Sequence, residues 1–159
     1  WYDAYDEARD KKADGLKKLA GRPDIQGYDI DGEALAAARE NAALAGVSDL
    51  IHLQRRDVAE LSHPKKYGFI ITNPPYGERL EEKADLPPVY RALGERYRAL
   101  SDWSMYVITA WEDAEKYLGR RADRNRKIYN GMMKTYFYQY AGPKPPRRGI
   151  AQAASGADV

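Results

Sequence analysis

The chain has 159 residues, of which 43% are apolar and 31% charged, with 13 Tyr, two His and no Cys. This is the composition of a folded domain with a buried core; it excludes a disulfide scaffold, a thiolate metal site and a Cys nucleophile, and two His are too few for a His-rich metal centre. No apolar run reaches the roughly 18 residues of a spanning helix, and the amino terminus lacks a signal-peptide pattern, so a cytoplasmic protein free of membrane is expected.

Residues 3–20 set spaced apolar positions among charges, which predicts a surface helix ended by Gly21-Arg22-Pro23. A short strand over 24–29 runs into Asp31, a good N-cap for an Ala-rich helix over 32–45 that Gly46 closes. LIHLQ (50–54) reads as a strand, and the unbroken apolar stretch of YGFIIT (67–72) as a strand buried on both faces. A helix with Pro in its first turn follows at 87–100, then a buried strand at 103–109 and a short helix at 111–118. Two β-rich runs, 126–131 and 132–140, meet at Asn130-Gly131, the sequence of a type I′ hairpin turn. Helices alternating with buried strands predict an α/β sheet, mostly parallel, closed by an antiparallel hairpin. Residues 1–141 read as one domain. Residues 142–159, rich in Pro, Gly, Ala and Ser, read as a disordered tail.

Charge divides the chain unevenly. Residues 1–115 carry 16 Lys/Arg against 22 Asp/Glu, whereas residues 116–148 carry ten basic residues against Asp123 alone. A basic end on an acidic body suits contact with a phosphate backbone, and it equally suits a solvated surface. The alternating Tyr136, Tyr138 and Tyr140 make one sheet face aromatic and are assigned to the core, as are Trp103 and Trp111 or its edge; His52 and His63 are assigned structural roles.

Ligands of open α/β sheets bind at the carboxyl ends of the strands, and three such ends carry polar residues here. Asp29, in Gly27-Tyr28-Asp29-Ile30-Asp31, could accept hydrogen bonds from ribose hydroxyls while Ile30 packs on an adenine face; both acids could equally cap the next helix. Asp57, before Val58, could accept from an adenine amino group or cap a turn. The third end is Asn73-Pro74-Pro75-Tyr76-Gly77. Four such fixed residues arise by chance in fewer than about one in a thousand chains of this size.

The residue types suit one chemistry. An exocyclic amine is a poor nucleophile because its lone pair is delocalised into the ring or carbonyl. Hydrogen bonds from that amine to the Asn73 side-chain oxygen and the Pro74 carbonyl would hold it near tetrahedral geometry, its lone pair aimed at an electrophilic methyl. Two prolines stiffen the loop and remove competing amide donors, and Tyr76 offers a face to a planar group drawn out of its stack.

The combination GYDID (27–31), DV (57–58), NPPYGERL (73–80) and a hairpin ending in YFYQY resembles class I S-adenosylmethionine-dependent methyltransferases. It is most similar to the bacterial large-subunit ribosomal RNA guanine methyltransferases that carry an upstream THUMP domain. That resemblance covers residues 1–146. It implies a Rossmann-like seven-stranded sheet with its last strand antiparallel, and S-adenosyl-L-methionine as cofactor. By it, Asp29 holds the ribose, Ile30, Asp57 and Val58 frame the adenine, and Asn73 borders the cofactor and, with Pro74, Pro75 and Tyr76, places the target amine. The family's first strand and Gly-rich cofactor loop do not occur in this sequence, and the resemblance therefore implies the C-terminal part of a longer protein. The expected reaction is methyl transfer to the 2-amino group of guanine in 23S ribosomal RNA, with RNA as partner. The alternatives are the 6-amino group of adenine in DNA or RNA, a glutamine side-chain amide, or a non-catalytic RNA-binding module.

Overall fold

Parallel pairing organises both halves of the chain in a computed structural model, which describes residues 2–18, 24–77 and 84–146. The chain divides into two compact units at Glu60 and Leu61. In the first, helix α1 (Tyr2–Lys18) keeps its described side chains exposed, in line with the surface helix expected there. The Gly21-Arg22-Pro23 terminator lies outside the described residues. Strand β1 (Ile25–Asp29) pairs in parallel with β2 (Ile51–Arg55), Ile25 opposite Ile51 and Asp29 opposite Arg55. Between them runs α2 (Gly32–Leu44), started as expected by Asp31, whose carboxylate accepts the Glu33 amide at 2.8 Å. Gly46 takes the left-handed φ of 62° that a helix-closing residue requires.

The second unit holds a four-stranded sheet in the order β3-β4-β6-β5, built from β3 (Phe69–Thr72), β4 (Ser104–Thr109), β5 (Arg124–Asn130) and β6 (Met133–Tyr140). Strands β3 and β4 are parallel, and β6 runs against both of its neighbours, so it is the one reversed strand of this sheet. Helices α3 (Leu86–Ala99) and α4 (Ala114–Leu118) complete the unit. In the antiparallel register Met105, Val107 and Thr109 lie opposite Tyr140, Tyr138 and Tyr136, and all six are buried. These side chains share one sheet face, and α3 meets it with Tyr90, which bonds Thr109, and Tyr97, whose ring lies 5.9 Å from that of Tyr140. The alternating tyrosines are therefore core, as their period of two requires.

Three expectations need correction. Strand β3 is buried on one face only: Ile70 is inside, while Phe69 and Ile71 are 65% and 81% exposed. An apolar run is buried on both faces only where layers cover both, and α3 packs on the Ile70 face. The strand also starts at residue 69 and not 67, because Tyr67 has a positive φ of 61° that turns the chain before pairing begins. The hairpin turn sits one residue later than its sequence suggested. Asn130 pairs with Met133, leaving Gly131-Met132 as the two-residue loop, and Gly131 has a φ of 61°. Glycine first in such a loop is the type II′ pattern, which needs positive φ at one position only. Of the expected tail, Gly142 is tied down by its amide on Ser104 Oγ at 2.9 Å, and residues 147–159 lie outside the described residues.

The α3–α4 packing depends on Gly94. A Cβ there would come well inside 3.0 Å of the Leu118 carbonyl oxygen at the end of α4, whereas helix propensity by itself favours Ala over Gly by about 1 kcal/mol. Backbone cannot give way as a flexible side chain does, so overpacking wins. Gly94→Ala is expected to destabilise the chain by roughly 1–3 kcal/mol, read as a lower midpoint in urea; an unchanged or higher midpoint would contradict this packing.

Candidate active site

The parallel register of β1 and β2 sets their carboxyl ends side by side, and the Arg56 amide donates to the Asp29 carbonyl at 2.9 Å. Four of the five residues expected at the cofactor, Asp29, Ile30, Asp57 and Val58, gather at those ends, whereas the fifth, Asn73, follows β3 in the second unit. Asp29 Oδ1 accepts the Asp31 amide at 2.9 Å, which leaves Oδ2 without a partner among the described residues. Ile30 is 60% exposed, and its carbonyl is held by Arg55 Nε at 2.8 Å. Asp57 Oδ1 accepts the Ala59 amide at 2.7 Å and so opens the tight turn Val58–Glu60, in which Val58 is half-buried. Asp29 and Asp57 thus each spend one oxygen on their own turn and keep the other for an external donor. Asp31 serves as the cap of α2.

In the second unit, β3 delivers its last residue, Thr72, into Asn73-Pro74-Pro75-Tyr76-Gly77. Pro74 and Gly77 are buried, Tyr76 is half-buried, and Asn73 and Pro75 are exposed. The Asn73 amide makes no hydrogen bond among the described residues, so its oxygen remains an available acceptor. Gly77 takes a φ of 68°, which lets the chain turn sharply after Tyr76. Glu78, Arg79 and Leu80 lie outside the described residues.

Sequence reasoning missed what holds this loop. Tyr90 of α3, wholly buried, donates its hydroxyl to the Pro75 carbonyl at 3.1 Å and lies 2.6 Å from the buried Thr109 Oγ1. Burial pushes the Tyr90 hydroxyl up to about 12, so it stays protonated and able to donate throughout the physiological range. The sequence marks Tyr90 only as one of the apolar positions 86, 90, 93 and 97 of a helix face; nothing in that spacing reveals where its hydroxyl goes.

The basic segment is partly neutralised within the fold. Asp123 accepts the Ala141 amide at 2.7 Å, and Arg120 Nη2 bridges both of its oxygens at 3.0 and 3.1 Å, which together hold its carboxyl below the usual range. Lys134 pairs with Glu112 at 3.2 Å. Arg124, Arg126 and Lys127 stay exposed along β5, the edge strand of its sheet, with no ion pair among the described residues, and Tyr129 and Met132 are exposed at the hairpin's turn end. His63 Nδ1 accepts the Lys65 amide and its ring lies 5.1 Å from Trp103. Trp103 and Trp111 are half-buried, the latter edge-on to Tyr90 at 4.6 Å. Among the described residues no three His, Asp or Glu gather as a metal site would need.

The family model of the UPF0020, RMKL-like, methyltransferase domain matches residues 1–139. The ribosomal RNA large subunit methyltransferase K/L of Syntrophotalea carbinolica is 38% identical over 138 residues, covering 84% of this chain and 19% of that protein. The crystal structure of a possible methylase from Clostridium difficile 630 is 48% identical and superposes with a TM-score of 0.75, over 87% of this chain and 37% of that one. SMU.472, solved as a complex with SAH, is 36% identical with a TM-score of 0.76, over 85% of this chain and 36% of that one. The chain thus spans less than two fifths of the length of each of these relatives. Its mixed sheet, parallel with a reversed strand, is the Rossmann-like arrangement of these methylases. With residues 1–139 matched and identities above one third, the chain belongs to the UPF0020 family of RMKL-like methyltransferase domains.

Proposed function

We propose that residues 1–141 form the C-terminal part of the catalytic domain of an S-adenosyl-L-methionine-dependent RNA methyltransferase, and that its target is an exocyclic base amine, the 2-amino group of guanine in large-subunit ribosomal RNA. The observation that carries this reading is the Asn73–Tyr76 loop at the end of β3, with the Asn73 amide oxygen uncommitted and the loop carbonyl of Pro75 held from behind.

The donor set at the ends of β1 and β2 fits the cofactor. Asp29 has one carboxylate oxygen left for the two ribose hydroxyls, exposed Ile30 supplies an apolar face for adenine, and Asp57 has an oxygen left for its amino group, beside Val58. When bound, S-adenosyl-L-methionine supplies a sulfonium methyl open to in-line displacement. The residues of this chain do the rest. The Asn73 side-chain oxygen and the Pro74 carbonyl accept the two amine protons and turn its lone pair out of conjugation. Tyr76 stacks on the base and excludes water from one of its faces. No strong base is needed, because methylation makes the amine acidic enough to lose a proton to solvent.

The large-subunit relatives are named as ribosomal RNA methyltransferases, which supports RNA as the substrate; guanine is chosen over adenine on the resemblance carried by residues 73–80 alone. The free cations of β5 favour RNA over a glutamine side chain, since a protein amide offers them no phosphates. A ribosomal RNA target places the protein in the cytoplasm, and no described helix is long and apolar enough to cross a membrane.

Two measurements test this. Asn73→Ala in the intact protein is expected to lower single-turnover methyl transfer by about a hundredfold or more, with cofactor affinity within about twofold of wild type; a retained rate removes Asn73 from the chemistry. Replacing Arg126 and Lys127 together by Ala is expected to weaken RNA binding and to flatten the dependence of log K on log salt by roughly 1–2, whereas an unchanged slope would place the RNA elsewhere.

A further inference from the structure

The two proline rings of the loop leave one backbone rotation to be controlled. Each ring locks its own φ, and each proline restricts ψ of the residue before it, so φ of Pro74 and Pro75 and ψ of Asn73 and Pro74 are confined by covalent structure. The first rotation free of both rings is ψ of Pro75. It turns the Pro75 carbonyl and the whole peptide plane that leads into Tyr76. That carbonyl is the group Tyr90 holds, at 3.1 Å.

The bond belongs to a chain of fixed direction. At one end the Trp111 amide, 3.1 Å from Thr109 Oγ1, can only donate; at the other the Pro75 carbonyl can only accept. Two hydroxyls with one proton each stand between them, 2.6 Å apart. Tyr90 must give its proton to Pro75, so Thr109 must give its own to Tyr90 and accept from Trp111. Every proton is then used once. In the reverse order the Pro75 carbonyl loses its donor and the Thr109 proton has no acceptor among the described residues. Tyr90 and Thr109 are both fully buried, so water cannot take the place of either hydroxyl, and Trp111 packs edge-on against the Tyr90 ring. Hydrogen bonds aligned in this way polarise one another, which strengthens the last link.

We infer that Tyr90 is a positioning residue: through the one-way relay from the Trp111 amide by way of Thr109, it fixes the Pro75 carbonyl and so the placing of Tyr76 relative to Asn73. This rests on the amine-methylation reading above for its effect on rate, and not for its effect on the loop. Tyr90, buried behind the loop, acts through the Pro75 carbonyl and sets the spacing between the amine acceptor and the stacking face.

Tyr90→Phe keeps the ring and removes the relay's last donor. In the intact protein it is expected to speed amide exchange at Tyr76 and Gly77 by about tenfold and to lower kcat by about tenfold, with cofactor Kd within about twofold of wild type. Thr109→Val breaks the relay one step earlier, where Tyr90 can still donate, and should cost about threefold; Thr109→Ser, which keeps the hydroxyl, should restore wild-type behaviour. Because the two groups act in series, the double variant should be no worse than Tyr90→Phe alone. Wild-type exchange in Tyr90→Phe, or single effects that multiply in the double variant, would overturn the relay. Asn73→Ala measured alongside separates the two claims: if it stays active the amine reading falls, and if it is inactive while Tyr90→Phe exchanges like wild type the relay alone falls. Should Tyr90→Phe fail to fold, the contrast between Thr109→Val and Thr109→Ser in amide exchange decides, equal rates counting against the relay.

Discussion

A parallel strand delivers its last residue, and the turn that follows, at the same end of the sheet as its neighbour does, and the positions proposed for the cofactor and the target amine follow from that constraint. Asp29 closes β1 and Asp57 follows β2, whose register sets Asp29 opposite Arg55. Asn73 follows β3 and Thr109 closes β4, with Thr72 opposite Val107. Had either pair been antiparallel, its two turns would have emerged at opposite ends. The reversed strand β6 contributes differently, by supplying Tyr136, Tyr138 and Tyr140 to the core against which α3 is seated. The position of Tyr90 beneath the Pro75 carbonyl is thus set by the core packing of a strand far along the chain.

Much of this was legible in the residues themselves. Asp31 caps α2 because a carboxylate before an Ala-rich run has an unpaired amide two residues on to accept from. The Asn-Pro-Pro-Tyr run marked its own loop, because Pro at two successive positions cannot continue a strand. What was not legible depended on neighbours the local pattern does not contain. The run 69–72 is equally apolar whether one layer or two cover it, so the exposure of Phe69 and Ile71 could not be read from it. Asn130-Gly131 satisfies a type I′ turn in isolation, but the pairing of Asn130 with Met133 draws the loop on by one residue. Tyr90 looked like any aromatic on a helix face, and only the tertiary structure brings its hydroxyl to Pro75 and Thr109.

The charge pattern shows the same division between what composition holds and what contacts decide. Ten basic residues against one acid in 116–148 suggest a uniform cationic surface. The fold spends Arg120 on Asp123 and Lys134 on Glu112, and keeps Arg124, Arg126 and Lys127 in solvent along an edge strand. Exposed pairs such as these add little to stability, because solvent screens them. A row of exposed cations along an edge strand suits a polyanion's phosphates, and that is the physical ground for proposing β5 as an RNA-facing edge.

The most direct test is to locate the methyl group. Unmodified large-subunit ribosomal RNA would be incubated with the intact protein and isotopically labelled S-adenosyl-L-methionine, digested to nucleosides and separated. Label confined to N2-methylguanosine is the result the proposed target predicts. Label in N6-methyladenosine would contradict the choice of base, and no label in RNA would contradict the catalytic reading itself.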